Sequence, residues 1–254
     1  MSYENYIEGR NPVIEALKVG REIEKILIAK GSNQGSVNKI VGMAKDKRVI
    51  IQYVEKNKLD SMSNTGSHQG VIAIASAHSY KTIDDIIKLA KDRNEDPFVI
   101  ILDEIEDPHN LGAILRTAEC AGAHGVIIPK RRAVGLTPVV AKTSAGAIEY
   151  IPVAKVPNIS FAIEELKEKG IWVYGADMEG ESNYFEKDLK GPIAIVIGSE
   201  GKGINRLVKE KCDFLVKIPM VGKVSSLNAS VAASVLIYEV LRQRGLNIWH
   251  EGES

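Results

Sequence analysis

Apolar residues recur along this chain with two different spacings, one in each part. Up to about residue 77, short runs rich in β-branched residues alternate with stretches of helical period: KILIA near Lys25, VIIQYV from Val49 and GVIAIA from Gly70 are the runs. In SVNKIVGMAKDK, Val37, Ile40, Val41 and Ala44 fall on one helix face. NPVIEALKVG, from Asn11, reads as a second helix. Strands alternating with helices predict a small α/β domain over 1–77. In HSYKTIDDIIKLAKDRNEDP charge rises and strand signals stop, so 78–95 reads as a linker carrying a short polar helix.

After Pro97 the apolar runs become nearly unbroken: FVIILD, GVIIP, IWVYGA, IAIVIG and FLVKIP. Such runs suit strands buried on both faces of a parallel sheet. Helical patterns separate them at 111–123, 160–169 and 204–211, with a long one from about Ser226 to Arg244. The prediction is a second α/β domain over 96–254, a mostly parallel sheet between helix layers. Ligands in such folds sit at the carboxyl ends of strands. Three loops therefore stand out.

The first is DPHNLGAILRTA, Asp107 to Ala118. Pro108 biases Asp107 away from helical geometry, and Asn110 is placed to cap a helix beginning at Leu111. Leu111, Ile114, Leu115 and Ala118 make an apolar stripe; Arg116 lies off it, with Gly112 and Cys120 a turn to either side. On this segment alone, capping and a solvated charge explain these residues better than a site does. The second loop, IAIVIGSEGKGI, places Gly198, Gly201 and Gly203 directly after an apolar strand. Glycines there permit close backbone approach to a ligand or a tight turn. Lys202 is followed by Gly203, so this is no Walker A loop. Glu200 within it disfavours a phosphate and suits a ligand with hydroxyls, amines or positive charge. The third, KIPMVGKVSSLNASVAASVLIYEVLRQR, offers Ser225 and Ser226 as helix caps, with Asn228 and Ser230 in the first turns. Its alanines read as packing positions.

Composition narrows the classes without choosing among them. At 254 residues, 44% hydrophobic and 26% charged, the chain is an ordinary globular protein with length for a sizeable core. Formal net charge is zero, although residues 1–80 carry a small positive balance of +3. Cys120 and Cys212 sit in apolar contexts and read as buried free thiols. The histidines, at 68, 78, 109, 124 and 250, lack ligand spacing, so no metal is expected. MSYENYIEGR has no apolar signal core and no run is long enough to span a membrane, which predicts a cytoplasmic protein.

Together the three loops resemble the ordered motifs of the SpoU (TrmH-like) family of the SPOUT superfamily, S-adenosylmethionine-dependent RNA ribose 2′-O-methyltransferases. The segments are DEIEDPHNLGAILRTAECAGAHGVII, IVIGSEGKGI and IPMVGKVSSLNASVAASVLIYEVLRQ. YIEGRNPVIEAL and HQGVIA are similar, more loosely, to the RNA substrate-binding domain that precedes the catalytic domain in the rRNA branch. The layout is closest to the branch that methylates a guanosine of 23S rRNA. Ala229 stands where the family often has Val, a packing difference. The resemblance implies a C-terminal trefoil knot, which periodicity could not have suggested, and a homodimer whose active site lies near the interface.

It also implies roles. Ala176, Gly198, Gly203, Ile218, Met220 and Leu227 would hold S-adenosylmethionine, largely through backbone groups. Arg116 is the family's candidate base, but arginine resists deprotonation. A role binding the neighbouring phosphate and developing alkoxide charge fits it better. Asn110, Glu200 and Asn228 would orient Arg116 and the nucleotide, and Ser226 would cap the last helix and help hold RNA or cofactor. Arg10, Arg21, Lys25, Lys45, Lys47 and Arg48 are candidates for phosphate contacts, which supply affinity rather than sequence choice. Two other classes stay open: a tRNA 2′-O-methyltransferase, and a noncatalytic RNA-binding ribosome-assembly protein on the same fold.

Overall fold

A computed structural model describes residues 6–32, 35–76 and 78–245. Ala77, the expected end of the first domain, lies outside the described residues. The chain divides into two compact units: residues up to Ser79 with Gly135–Pro138, and Tyr80–Val134 with the chain from Val139 on.

In chain order the first unit contains β1 (Tyr6–Glu8), α1 (Arg10–Lys18), β2 (Ile23–Ala29), α2 (Ser36–Asp46), β3 (Ile50–Val54), α3 (Lys56–Met62) and β4 (Val71–Ala75). The sheet order is β1-β4-β2-β3, with β2 and β3 parallel and the other pairs antiparallel. Val13, Ile14 and Leu17 of α1 and Val37, Ile40 and Ala44 of α2 pack on Ile26, Ile28, Val71 and Ala73. Leu59 of α3 packs with Leu27, Ala29, Val54 and Ile72 in a second cluster. β1 and α3 were not expected, because three residues and one buried leucine leave no period to read.

The second unit continues with α4 (Ile83–Asp92), β5 (Phe98–Leu102), α5 (Pro108–Cys120), β6 (Gly125–Pro129), α6 (Pro138–Thr143), β7 (Val153–Val156), α7 (Ile159–Glu168), β8 (Trp172–Ala176), β9 (Ser182–Asn183), β10 (Ile193–Ile197), α8 (Arg206–Lys209), β11 (Phe214–Lys217) and α9 (Ala229–Gln243). Its sheet runs β7-β6-β5-β10-β8-β11-β9, and every pair is parallel. β5, β6 and β10 are buried at every residue, as their unbroken apolar runs predict. The chain first builds outward from β5 through β6 to β7, then lays β8, β10 and β11 on the other side. Strand order therefore reverses next to β5, and the crevice at such a reversal is where open α/β sheets bind ligands.

Two sequence expectations change. The segment 78–95 is not a free linker at its helical part: Ile83, Ile86 and Ile87 of α4 pack with Val99, Ile101 and Ile127 in the sheet core. A mixed helix looks polar when only its exposed face is counted. α8 is much shorter than 204–211. Asn205 caps it, its side chain accepting from Leu207 N at 3.2 Å, and Ile204 before the cap is buried in the core.

The amino edge of the sheet is closed by polar contacts. Arg244, just past α9, donates to the carbonyls of Asp96, Pro97 and Gly191 at 2.9, 3.2 and 2.7 Å. His124 is fully buried, its Nδ1 accepting from Phe98 N at 3.0 Å and its Nε2 lying 2.9 Å from Glu95. The Phe98 donor requires an unprotonated Nδ1, so the ring is neutral with its proton on Nε2. Burial holds the His124 pKa below its ordinary value of 6.5, against the pull of Glu95. A folded-state pKa below the unfolded one means that the unfolded chain binds more protons, so stability is lost as pH falls below about 6.5. His124→Gln is expected to lower the melting temperature at pH 7 and to flatten its decline between pH 7 and pH 5. An unchanged slope would remove His124 from the acid response.

Candidate functional site

The exits of β5, β10 and β11 bring together residues far apart in sequence. α5 begins three residues earlier than expected. Its cap is Asp107, in extended geometry, whose side chain accepts from His109 N at 2.9 Å. Pro108 occupies the first helical position, where its missing N–H costs nothing. Asn110 is thus not the cap. It lies inside the first turn, 8% exposed, with its amide free for other partners.

The glycine loop after β10 is pinched shut by a pair of backbone bonds: Ser199 N to Gly203 O at 3.2 Å and Gly203 N to Ser199 O at 2.9 Å. A Cβ on Gly198 would stand 2.1 Å from the Gly203 carbonyl carbon, so only glycine fits there. Gly201 and Gly203 take φ of 78° and 67°. The turn leaves Glu200 at its tip. Behind it, the buried Asp103 at the end of β5 accepts from Asn205 N at 2.7 Å. Burial holds the Asp103 carboxyl above the usual carboxylate range even against that bond.

The third loop also differs from expectation at its cap. α9 begins at Ala229 and its cap is Asn228, whose Oδ1 accepts from Ser230 N at 2.9 Å and Val231 N at 3.3 Å. Ser226 lies two residues outside, exposed, and caps nothing. An asparagine at the cap serves the unpaired N–H groups of a first turn as well as serine does. The sequence offered several cap candidates within four residues.

With Asp107 as the cap of α5, the Asn110 side chain is free to meet Glu200, and Asn228, capping α9 through Oδ1, keeps its Nδ2 for the same group. Asn110 Nδ2 donates to Glu200 Oε1 at 3.1 Å. Asn228 Nδ2 donates to Asn110 Oδ1 at 3.0 Å and also to Glu200 Oε1. Ala229 N adds a bond to the same oxygen at 3.3 Å. The carboxylate thus rests on the amino end of α9, where the helix dipole favours negative charge. Glu200 Oε2 accepts no hydrogen bond from any described residue.

Beside this cluster lies a cavity of about 360 Å³ at the carboxyl ends of β8, β10 and β11. Ala176, Gly198, Gly203, Ile218, Met220 and Leu227 all line it, together with Glu200 and Ser226. Sequence reading missed Asp177, Met178, Glu179 and Lys209 on the same wall. Asp177 has a buried side chain ion-paired to Lys209, and its backbone N–H bonds Val216 O at 2.9 Å. Their only sequence signal is position, immediately after the strand that ends at Ala176. Among the described residues no group of histidine, cysteine and carboxylates could hold a metal, and no helix is long and apolar enough to cross a membrane.

Arg116 is not in the cluster. It is exposed on α5 and makes no hydrogen bond or ion pair with another described residue. Nor is the space over Gly112 left for it: a Cβ there would stand 1.9 Å from Thr143 Oγ1, because the end of α6 packs on this turn. Cys120 is exposed rather than buried; Cys212 is half-buried, and burial pushes its thiol up to about 12.

Residues 97–238 match the model of the SpoU rRNA methylase family, and 6–81 match that of the RNA 2′-O ribose methyltransferase substrate-binding domain. The chain belongs to the SpoU rRNA methylase family. A Bacillus subtilis (strain 168) protein named for the TrmH family of tRNA/rRNA methyltransferases, YacO, is 55% identical over 240 residues, covering 94% of this chain and 96% of its own. A similarly named Staphylococcus haemolyticus protein is 52% identical over 94% of this chain and 95% of its own. Among solved structures, the SpoU methyltransferase AviRb of Streptomyces viridochromogenes, in complex with AdoMet, superposes with a TM-score of 0.60. It is 25% identical, with 94% of this chain and 90% of that one covered.

As a SpoU methyltransferase, the protein carries the likeness through both units, and the cluster falls within the matched 97–238. The packing at Gly112 tests whether the first turn of α5 must stay where it is. Gly112→Ala forces Thr143 or the helix to move, and overpacking of this kind costs about 1–3 kcal/mol. The variant is expected to lose that stability in urea denaturation. Wild-type stability would show that the turn yields freely.

Proposed function

We propose that this SpoU protein transfers the methyl group of S-adenosylmethionine to a ribose 2′-hydroxyl of structured RNA, most directly a guanosine of 23S rRNA. The observation that carries the reading is the Asn110–Glu200–Asn228 cluster on the rim of a cavity suited to the cofactor. That cavity combines apolar side chains and strand-end backbone for an adenine and ribose with carboxylates for a cationic ligand. Ala176, Gly198, Gly203, Ile218, Met220 and Leu227 would hold the adenosyl part. The cofactor, when bound, supplies a methyl group on positively charged sulfur.

The chain's own groups must position a weak nucleophile and accept its proton. Glu200 offers a carboxylate oxygen free of described partners, while Asn110 and Asn228 lock the other. Glu200 is therefore the acceptor this geometry supports best. Arg116, permanently charged, is assigned to the neighbouring phosphate and to developing alkoxide charge. No described residue of its own chain partners it, although α5 packs on α9, with Thr117 Oγ1 3.2 Å from Ser234 Oγ. Val231 and Tyr238 of α9 are half exposed. A homodimer joined through this face would bring Arg116 to the partner's cluster. In the first unit, Arg21, Lys45, Lys47 and Arg48 are exposed and available to RNA phosphates in a cytoplasmic substrate. Lys25 is half-buried, and Arg10 Nε is bound to Gln69 O at 3.0 Å.

A tRNA acceptor is the second reading, because relatives are named for both tRNA and rRNA and an A. aeolicus tRNA-modifying enzyme superposes with a TM-score of 0.54. That neighbour covers only 63% of this chain, and the family model matched by residues 97–238 is described for rRNA methylases. Labelled S-adenosylmethionine with 23S rRNA and, separately, tRNA should mark a ribose 2′-oxygen of the former. No ribose label on either RNA would end the proposal. Arg116→Ala is expected to retain cofactor binding and to lower kcat/KM by roughly 10²–10³-fold. If the site is shared, mixing Arg116→Ala with Glu200→Gln chains restores transfer through hybrid dimers; a mixture as inactive as its parts excludes sharing.

A further inference from the structure

The carboxyl edge of the sheet holds a second built feature outside the cluster. β6 ends at Pro129 and runs at once into Lys130, Arg131 and Arg132. Arg132 Nη1 lies 3.0 Å from Glu104 Oε1, and Glu104 follows the end of β5 by two residues. Both members of this pair adopt left-handed backbone, φ 58° at Glu104 and 55° at Arg132. Side chains beyond glycine rarely take that conformation, and where it persists the surroundings enforce it. Here Val134 N donates to Ile105 O at 3.0 Å, tying the two strand exits together. The turn after β6 is thus fixed against the turn that leads into α5.

The bracing has a consequence for charge. Glu104 is engaged by Arg132, while Arg131 between two basic neighbours is exposed and has no hydrogen bond or ion pair with another described residue. A planar, always charged guanidinium presented in this way matches a phosphate. The position suits one as well. β5 lies between β6 and β10 in the sheet. Strand spacing then puts the β6 exit roughly 5 Å from that of β5 and roughly 10 Å from that of β10. The backbone of the strand that carries the target nucleotide can cross a span of that size. The positive balance noted in residues 1–80 plays no part, since all these residues belong to the second unit.

We propose that Arg131, held by the Arg132–Glu104 brace, binds a phosphate of the RNA strand flanking the nucleotide that meets the Asn110–Glu200–Asn228 cluster. This rests on the RNA methyltransferase reading above and adds a contact within the catalytic unit. The test is binding of in vitro transcribed 23S rRNA by fluorescence anisotropy across a salt series, with S-adenosylmethionine affinity and methyl transfer measured on the same variants. Arg131→Ala should weaken RNA binding several-fold, lower the log–log salt slope by about 1, and raise KM for RNA while kcat at saturating RNA holds. Arg131→Lys should restore most of the affinity, because a phosphate needs the charge. Cofactor affinity should be unchanged throughout. Wild-type affinity and salt slope in Arg131→Glu overturns the contact. RNA binding by the native protein with wild-type sensitivity to Arg131→Ala, but without ribose methylation, overturns the reaction and leaves the contact standing.

Discussion

Everything at the candidate site depends on one carboxylate oxygen. Glu200 Oε1 accepts from Asn110, from Asn228 and from the backbone N–H of Ala229. These groups come from the first turn of α5, a glycine turn after β10 and the amino end of α9. A charge-assisted bond is stronger than a neutral one, and the three donors hold one oxygen between the first turn of α5 and the amino end of α9. The remaining oxygen accepts no hydrogen bond from a described residue. The helix amino terminus favours the negative charge placed there.

The rest of the catalytic unit can be read as support for that junction. β5 and β10 are adjacent, parallel and wholly buried, so the loops leaving them start from a rigid edge. Asp103 holds the exit of the glycine turn through Asn205 N. Asp177 with Lys209 does similar work beside the exit of β8. Thr143 seats against Gly112, one turn from Asn110's end of α5. At the opposite edge, Arg244 binds three carbonyls, so α9 is tied down at both ends.

Much of the fold was legible in the chain itself. The unbroken apolar runs announced buried parallel strands, and all five became strands of one parallel sheet. The breaks in legibility are equally physical. α4 was read as a linker because a helix that buries one narrow stripe shows mostly polar residues. β1 and α3 are too short to display a period. The caps at Asp107 and Asn228 were each displaced by a few residues, since Asp, Asn and Ser all satisfy the same unpaired N–H groups and several stood in a row.

The sequence alone determined the strands, the three loops and the residue types at their tips, because local spacing and glycine chemistry are local properties. It determined the family too, since those motifs recur in order. Tertiary structure decided which side chains meet. Asn110 turned from a helix cap into the buried member of a hydrogen-bonded cluster, Ser226 lost its cap, and Arg116 was left outside with no partner among the described residues. Residues 110, 200 and 228 are separated by dozens of positions, and no periodicity encodes a hydrogen bond across such a gap. Only the order of strands in the sheet brings their loops to one edge.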